Sequence, residues 1–183
     1  DHKSSRGLGD VYKRQLDNVL FFYSTENASN GKVVTLTIQD GAFVWNDLIA
    51  ESMLPIRSVN IINKKILVTY LVDTLSKVKT FDLNGSFLED FQFAEAGTIG
   101  GFYGGIDDEE TYFNFTNYIT PSKIYKLNLN TMEYALFWEE ELTNFDSSDF
   151  TTKLWFYESK DGTKVPLHIS YRSNVEVNEQ TPV

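Results

Sequence analysis

The chain repeats itself, and the repeat limits its fold more than any other feature. Three apolar runs, Val19-Leu-Phe-Phe-Tyr23, Ile66-Leu-Val-Thr-Tyr70 and Thr111-Tyr-Phe-Asn-Phe115, recur at about 45 residues. Each is followed by a loop and a second run, at 32–38, 77–83 and 123–129. A turn pair comes next (Asp40-Gly41, Asn84-Gly85, Asn130-Thr131), and then a third run begins near Phe43, Phe87 and Tyr134. Within a run, alternate residues form two sets, as Val33, Thr35 and Thr37 against Val34, Leu36 and Ile38. That is the period of a strand, not of a helix. Ser58-Val-Asn-Ile-Ile62 and Thr98-Ile-Gly-Gly-Phe-Tyr-Gly-Gly105 add a strand ahead of the second and third units. Four short antiparallel strands per unit make the chain all-β and predict a partial β-propeller. The blades fall at 17–52, 56–95 and 98–141, and the first is expected to be truncated, without its front strand. Glycines 97 to 105 suit an innermost strand, where backbones crowd around the channel. They match no phosphate-binding loop.

Residues 1–15 share none of this pattern. They are basic, contain Gly and Ser, and show no period. The run from Lys3 to Gln15 looks like translated sequencing-adapter read-through from short-read, metagenomic assembly, or else a flexible arm. Either way it is expected to lie outside the fold.

After residue 141 the pattern changes again. Residues 142–149 read as a linker. Two alternating runs then flank Asp161-Gly162, a strong hairpin signal, giving a hairpin over 150–172. A two-residue turn would pair Phe156 with Leu167, Leu154 with Ile169, Trp155 with His168 and Tyr157 with Pro166. Pro166 has no N–H to donate, so it needs a non-hydrogen-bonded position on an edge strand.

Charge and composition narrow the function. Among 183 residues, 26 Asp and Glu oppose 16 Lys and Arg, a formal net charge of −10. Nothing there neutralises phosphates, so neither nucleic acid nor an anionic membrane surface is an expected partner. No apolar run approaches the roughly 18 residues of a membrane-spanning helix. With no cysteine, disulfides and thiolate metal sites are excluded, and the compartment, cytoplasmic or periplasmic, stays open.

No catalytic, cofactor-binding or metal-binding residue is expected. Of the two histidines, His2 lies in the basic arm and His168 in the hairpin. One strand histidine makes neither a multi-His metal site nor a triad, and no G-x-S-x-G elbow is present. Asp107-Asp-Glu-Glu110 and Glu139-Glu-Glu141 read as solvated turns and strand ends, because their spacing is not that of a calcium loop. The triplets at Asn27, Asn84 and Asn114 match the glycosylation pattern and are read as chance.

The passage from blades into Phe145-Asp-Ser-Ser-Asp149 and Tyr157-Glu-Ser-Lys-Asp-Gly-Thr-Lys-Val-Pro166 closely resembles the prolyl oligopeptidase family, as does Thr120-Pro-Ser-Lys-Ile-Tyr125. In that segment the family commonly has Gly where Ser122 stands. The resemblance spans about 17–172, is specific at 145–171, and is weaker at 17–95. It implies a seven-bladed propeller inserted into, and capping, an α/β-hydrolase domain with a Ser-Asp-His triad. Residues 17–141 would then be the last three blades, and 150–183 the start of the returning catalytic domain. The triad would lie after Val183, so this chain alone would be inactive. Implied partners are an oligopeptide substrate and the intramolecular hydrolase domain, and the implied reaction is cleavage of short peptides after proline. The propeller would exclude folded proteins. Two other readings are a stand-alone propeller that binds a protein partner and, were the period coincidental, a two-layer sandwich. The hairpin disfavours the first, because a pure binding propeller would close its ring there. Agreement among three units disfavours the second.

Overall fold

The computed structural model describes residues 10–178. Three four-stranded antiparallel sheets follow one another along the chain, each with its strands in sequence order. Blade one comprises β1 (Asp10–Leu16), β2 (Val19–Ser24), β3 (Lys32–Gln39) and β4 (Ala42–Ile49). Blade two comprises β5 (Ile56–Ile62), β6 (Lys65–Val72), β7 (Leu75–Asp82) and β8 (Phe87–Asp90). Blade three comprises β9 (Thr98–Gly101), β10 (Glu110–Thr116), β11 (Lys123–Asn128) and β12 (Tyr134–Glu139). A 3-10 turn at Ser147–Asp149 leads into a separate hairpin, β13 (Phe150–Glu158) and β14 (Lys164–Arg172). The described residues contain no α-helix.

The expected repeat is present strand for strand, with one correction. Blade one is not truncated: β1 fills the front position and pairs with β2 from Asp10↔Ser24 to Leu16↔Val19. Residues 10–15 are therefore within the fold, while residues 1–9 lie outside the described residues. The composition hid this strand because it is largely polar and half-exposed. A strand closing a blade at the channel needs backbone partners more than an apolar face. Lys13, Arg14 and Gln15 can occupy it with their stems along the sheet, Gln15 exposed and Lys13 and Arg14 half-buried. The Arg14 Nη2 also donates to the Gly104 carbonyl at 2.5 Å, tying β1 to blade three.

Stacking makes the core. Between blades one and two, Phe21, Val33 and Ile49 meet Val59, Ile66 and Val68. Between blades two and three, Leu67 and Val78 meet Phe102, Phe113, Phe115 and Leu127. β6 thus sends alternate residues into two different cores, and it reads Ile-Leu-Val-Thr-Tyr-Leu, a continuous apolar run, because both faces are covered. The second core is aromatic: Phe113 stacks on Tyr125 with centroids 5.2 Å apart, and Phe91 meets Phe113 edge-on at 5.4 Å.

The glycine-rich entry to blade three behaves as packing. A Cβ on Gly97 would lie 2.5 Å from the Phe115 ring and from the Thr116 carbonyl oxygen. No residue with a side chain fits that approach without displacing backbone.

The hairpin register differs from expectation by one residue. Ser159 is the first residue of a type I turn, with the Gly162 N–H donating to the Ser159 carbonyl at 2.9 Å and the Ser159 N–H to the Thr163 carbonyl at 2.9 Å. Gly162 follows at φ 81°. This is a three-residue loop with a left-handed glycine, not a two-residue turn. The observed pairs are Phe156↔Pro166, Trp155↔Leu167 and Leu154↔His168. Counting from the bonded Ser159/Thr163 pair, Pro166 still occupies a non-hydrogen-bonded position. Its strand pairs only with β13, so it is an edge, as expected.

Candidate functional site

Sequential antiparallel strands place the β6–β7 turn, the β10–β11 loop and the exits of β8 and β12 at one end of the blades. The hairpin lies across that end. A cavity of about 410 Å³ separates the two, lined by Thr74 and Leu75 of blade two, Gly97 and Thr98 of blade three's entry, Tyr118 of the β10–β11 loop, and Thr152, Leu154 and His168 of the hairpin.

His168 bridges these bodies. Its Nε2 lies 2.5 Å from the Thr74 Oγ1, and its ring lies over Tyr118 with centroids 4.6 Å apart and planes tilted 32°. Thr74 reaches it from an unusual backbone. The turn between Val72 and Leu75 is Asp73-Thr74, with φ 47° and 74°, a mirror-image type I turn that fits the twist of the flanking strands. A β-branched residue in the left-handed region is strained, by about 1–2 kcal/mol. The strained residue is the one that meets the hairpin.

His168 lies on its hairpin strand as expected, but its neighbours are Leu154, Thr74 and Tyr118 instead of Trp155. Sequence reasoning missed Thr74 and Tyr118. Asp73-Thr74 is not a common turn pair, and Thr74 and His168 are separated by 94 positions.

The acidic clusters disperse. Asp107 pairs with Lys64 at 3.7 Å, Glu110 with Lys126 at 2.8 Å, and Glu139 with Lys123 at 3.5 Å. Asp108 instead accepts from the Gly105 N–H at 2.6 Å, closing its own loop. Among the described residues no group of three or more His, Cys, Asp or Glu side chains is arranged to hold a metal ion. Of the sequon asparagines, Asn84 sits in an exposed turn and Asn114 on the open face of β10.

Two carboxylates around the hairpin are held below the usual range. Hydrogen bonds from Ser148 lower the pKa of Asp146, which caps the 3-10 turn, and hydrogen bonds from Thr163 lower that of Asp161 in the hairpin loop. Both groups are structural: each fixes a turn that aims the hairpin.

Stacked four-stranded blades, with a separate strand pair seated across the turns at one end, define this chain as a β-propeller module followed by a two-stranded sheet. It belongs to the family of the prolyl oligopeptidase N-terminal β-propeller domain, whose family model matches residues 6–140. That match begins ahead of β1 and ends at the foot of β12.

The chain is similar to the prolyl endopeptidase of Elizabethkingia miricola, 33% identical over 166 residues, covering 90% of this chain and 23% of that protein. It is also similar to the prolyl endopeptidase of Dictyostelium discoideum, 26% identical over 168 residues, covering 86% of this chain and 22% of that protein. Among solved structures, one from a mechanistic study of two prolyl endopeptidases aligns with a TM-score of 0.80 at 25% identity, over 93% of this chain and 25% of that one. Prolyl oligopeptidase B from Galerina marginata, at 19% identity, shares the fold with a TM-score of 0.80 over 91% of this chain and 24% of its own. The chain thus spans about a quarter of the proteins it matches.

Proposed function

We propose that this chain supplies the last three propeller blades of a serine-type oligopeptidase, together with the strand pair that returns to its α/β-hydrolase domain. The blades act by exclusion: a rigid wall admits short, extended peptides and turns away folded proteins. Cleavage after proline would be carried out by the hydrolase domain. There a serine attacks the scissile carbonyl, a histidine takes its proton, and backbone N–H groups stabilise the oxyanion. No member of that triad is assigned to a residue of this chain, and the reading needs no cofactor.

The observation that carries the reading is the position of the hairpin. It is a two-stranded sheet with both edges unpaired and one apolar face open, and it is docked on the turn end of the blades by Thr74, Tyr118 and His168. Such a pair is marginal alone and implies a larger sheet to complete it. The end of the family match at residue 140 supports a domain boundary in the segment that follows.

The test is an assay of the full-length product of the gene that encodes this chain, using a short proline-containing peptide and a folded protein with exposed proline loops. The expected result is cleavage of the peptide after proline and survival of the folded protein. Peptide cleavage would disappear on replacing the serine of a G-x-S-x-G motif encoded downstream. Absence of any peptidase activity would defeat the reading and favour a stand-alone interaction propeller.

A further inference from the structure

A second cavity, of about 420 Å³, opens along the inner strands at the cleft between blades two and three. Its lining includes Lys13 on β1, Arg57 and Asn60 on β5, Thr69 on β6, and Tyr103 just beyond β9. The charged residues in the lining, Lys13 and Arg57, are both cations, in a chain whose acids outnumber its bases 26 to 16. Among the described residues neither is ion-paired with a carboxylate. Burial lowers the pKa of Lys13, as expected of an ammonium short of both water and a counter-charge.

Around the space stand a guanidinium and an ammonium, with no acidic residue in the lining. That set suits an acceptor-only group such as a carboxylate, which can take two parallel bonds from a guanidinium. The cavity also shares Thr74 and Thr98 with the one beneath the hairpin, so it adjoins the end where the catalytic domain would sit.

We infer that this cavity is an anion subsite that receives a carboxylate of an oligopeptide, bound through Arg57 and Lys13. The inference rests on the peptide-gating reading above. It adds a preference: among short peptides, those carrying a carboxylate at their distal end are held on the propeller wall.

The test measures binding to the chain immobilised sparsely on a sensor surface. Three forms of one proline-containing hexapeptide are compared: a free C-terminal acid, a C-terminal amide, and the amide with a terminal-side Glu. The acid is expected to bind about tenfold tighter than the neutral amide, the worth of one charge-assisted contact, with an advantage that shrinks as salt rises. If Glu restores the gain, side-chain carboxylates are also accepted; if it does not, the subsite reads the C-terminus. Both outcomes support the subsite. Arg57→Ala should remove the acid's advantage and Arg57→Lys should restore part of it. Lys13→Gln should weaken the acid alone, with circular dichroism confirming that each variant is folded. Equal affinity for acid and amide, or an Arg57→Ala variant that keeps the difference, would overturn the inference while leaving the gating reading intact. Loss of the gating reading would show instead in the cleavage assay of the full-length protein.

Discussion

β6 and β13 are both rich in apolar residues and opposite in circumstance. One reads Lys-Ile-Leu-Val-Thr-Tyr-Leu-Val, the other Phe-Thr-Thr-Lys-Leu-Trp-Phe-Tyr-Glu. Five consecutive residues of β6, Ile66 to Tyr70, are buried, whereas β13 has no buried residue, and Trp155, Phe156 and Tyr157 are each about half exposed. Apolar content does not set this difference. β6 has a blade stacked on each face, while β13 has a cavity on one side and solvent on the other. The hydrophobic term rewards only area removed from water, so an apolar strand is a keystone in one place and a half-exposed edge in the other. β10 lies between these extremes: Thr111, Phe113 and Phe115 are buried, and Tyr112 and Asn114 face outward. It belongs to a blade covered on one face only.

Substitutions sharpen the contrast. Leu67→Ala should lower stability by about 2–5 kcal/mol and Phe113→Ala by about 3–5 kcal/mol, because each leaves a cavity in a close-packed interblade core. Trp155→Ala should change it by less than about 0.5 kcal/mol. Urea denaturation of the three variants checks this, and a Trp155→Ala loss as large as that of Leu67→Ala would break the comparison.

The uncovered faces give the next effect. Phe43 on blade one and Phe137 with Trp138 on blade three are exposed, so the isolated chain should self-associate as concentration rises. Sedimentation velocity measures this, and a monomer that stays monomeric and melts sharply would contradict it. Thr74→Gly should relieve the left-handed strain of about 1–2 kcal/mol, partly offset by the chain entropy that glycine loses on folding, yet loosen the hairpin by removing the hydroxyl that meets His168. Exchange of the β13 amides separates these two consequences.

The smallest effect is that of pH. Asp146 and Asp161 have pKa values lowered in the folded chain. Their contribution is therefore fully present above the unfolded value of about 3.9, and it is lost as pH falls through the lower, folded values. The Ser148 and Thr163 amide resonances should move in that acid window and stay flat near neutrality. A midpoint at or above the unfolded value would show that the caps are not formed.

Sequence reasoning reached the blades because each is a local, repeated pattern. Period-two alternation and turn pairs such as Asp40-Gly41 specify strands without knowledge of what lies across them. It missed β1 because Lys13, Arg14 and Gln15 carry no apolar signal. It misplaced the hairpin register because Asp161-Gly162 serves both a two-residue turn and a three-residue loop, and only the bond from the Gly162 N–H to Ser159 distinguishes them. A one-residue slip exchanges the two faces, which is why His168 was paired with Trp155 and not with Leu154. The contacts of His168 with Thr74 and Tyr118 were out of reach, since they depend on how a distant hairpin settles over two blades.

The most direct measurement is amide hydrogen exchange on β6 and on the β13–β14 pair, in this chain alone and in the full-length product of its gene. If the interblade cores are complete in this chain and the hairpin is the opening of a catalytic domain, β6 exchanges slowly in both. The hairpin exchanges fast in the isolated chain and becomes slow, by several orders of magnitude, once its sheet is completed. A hairpin already as protected as β6 in the isolated chain, or one still fast in the full-length protein, would contradict the account.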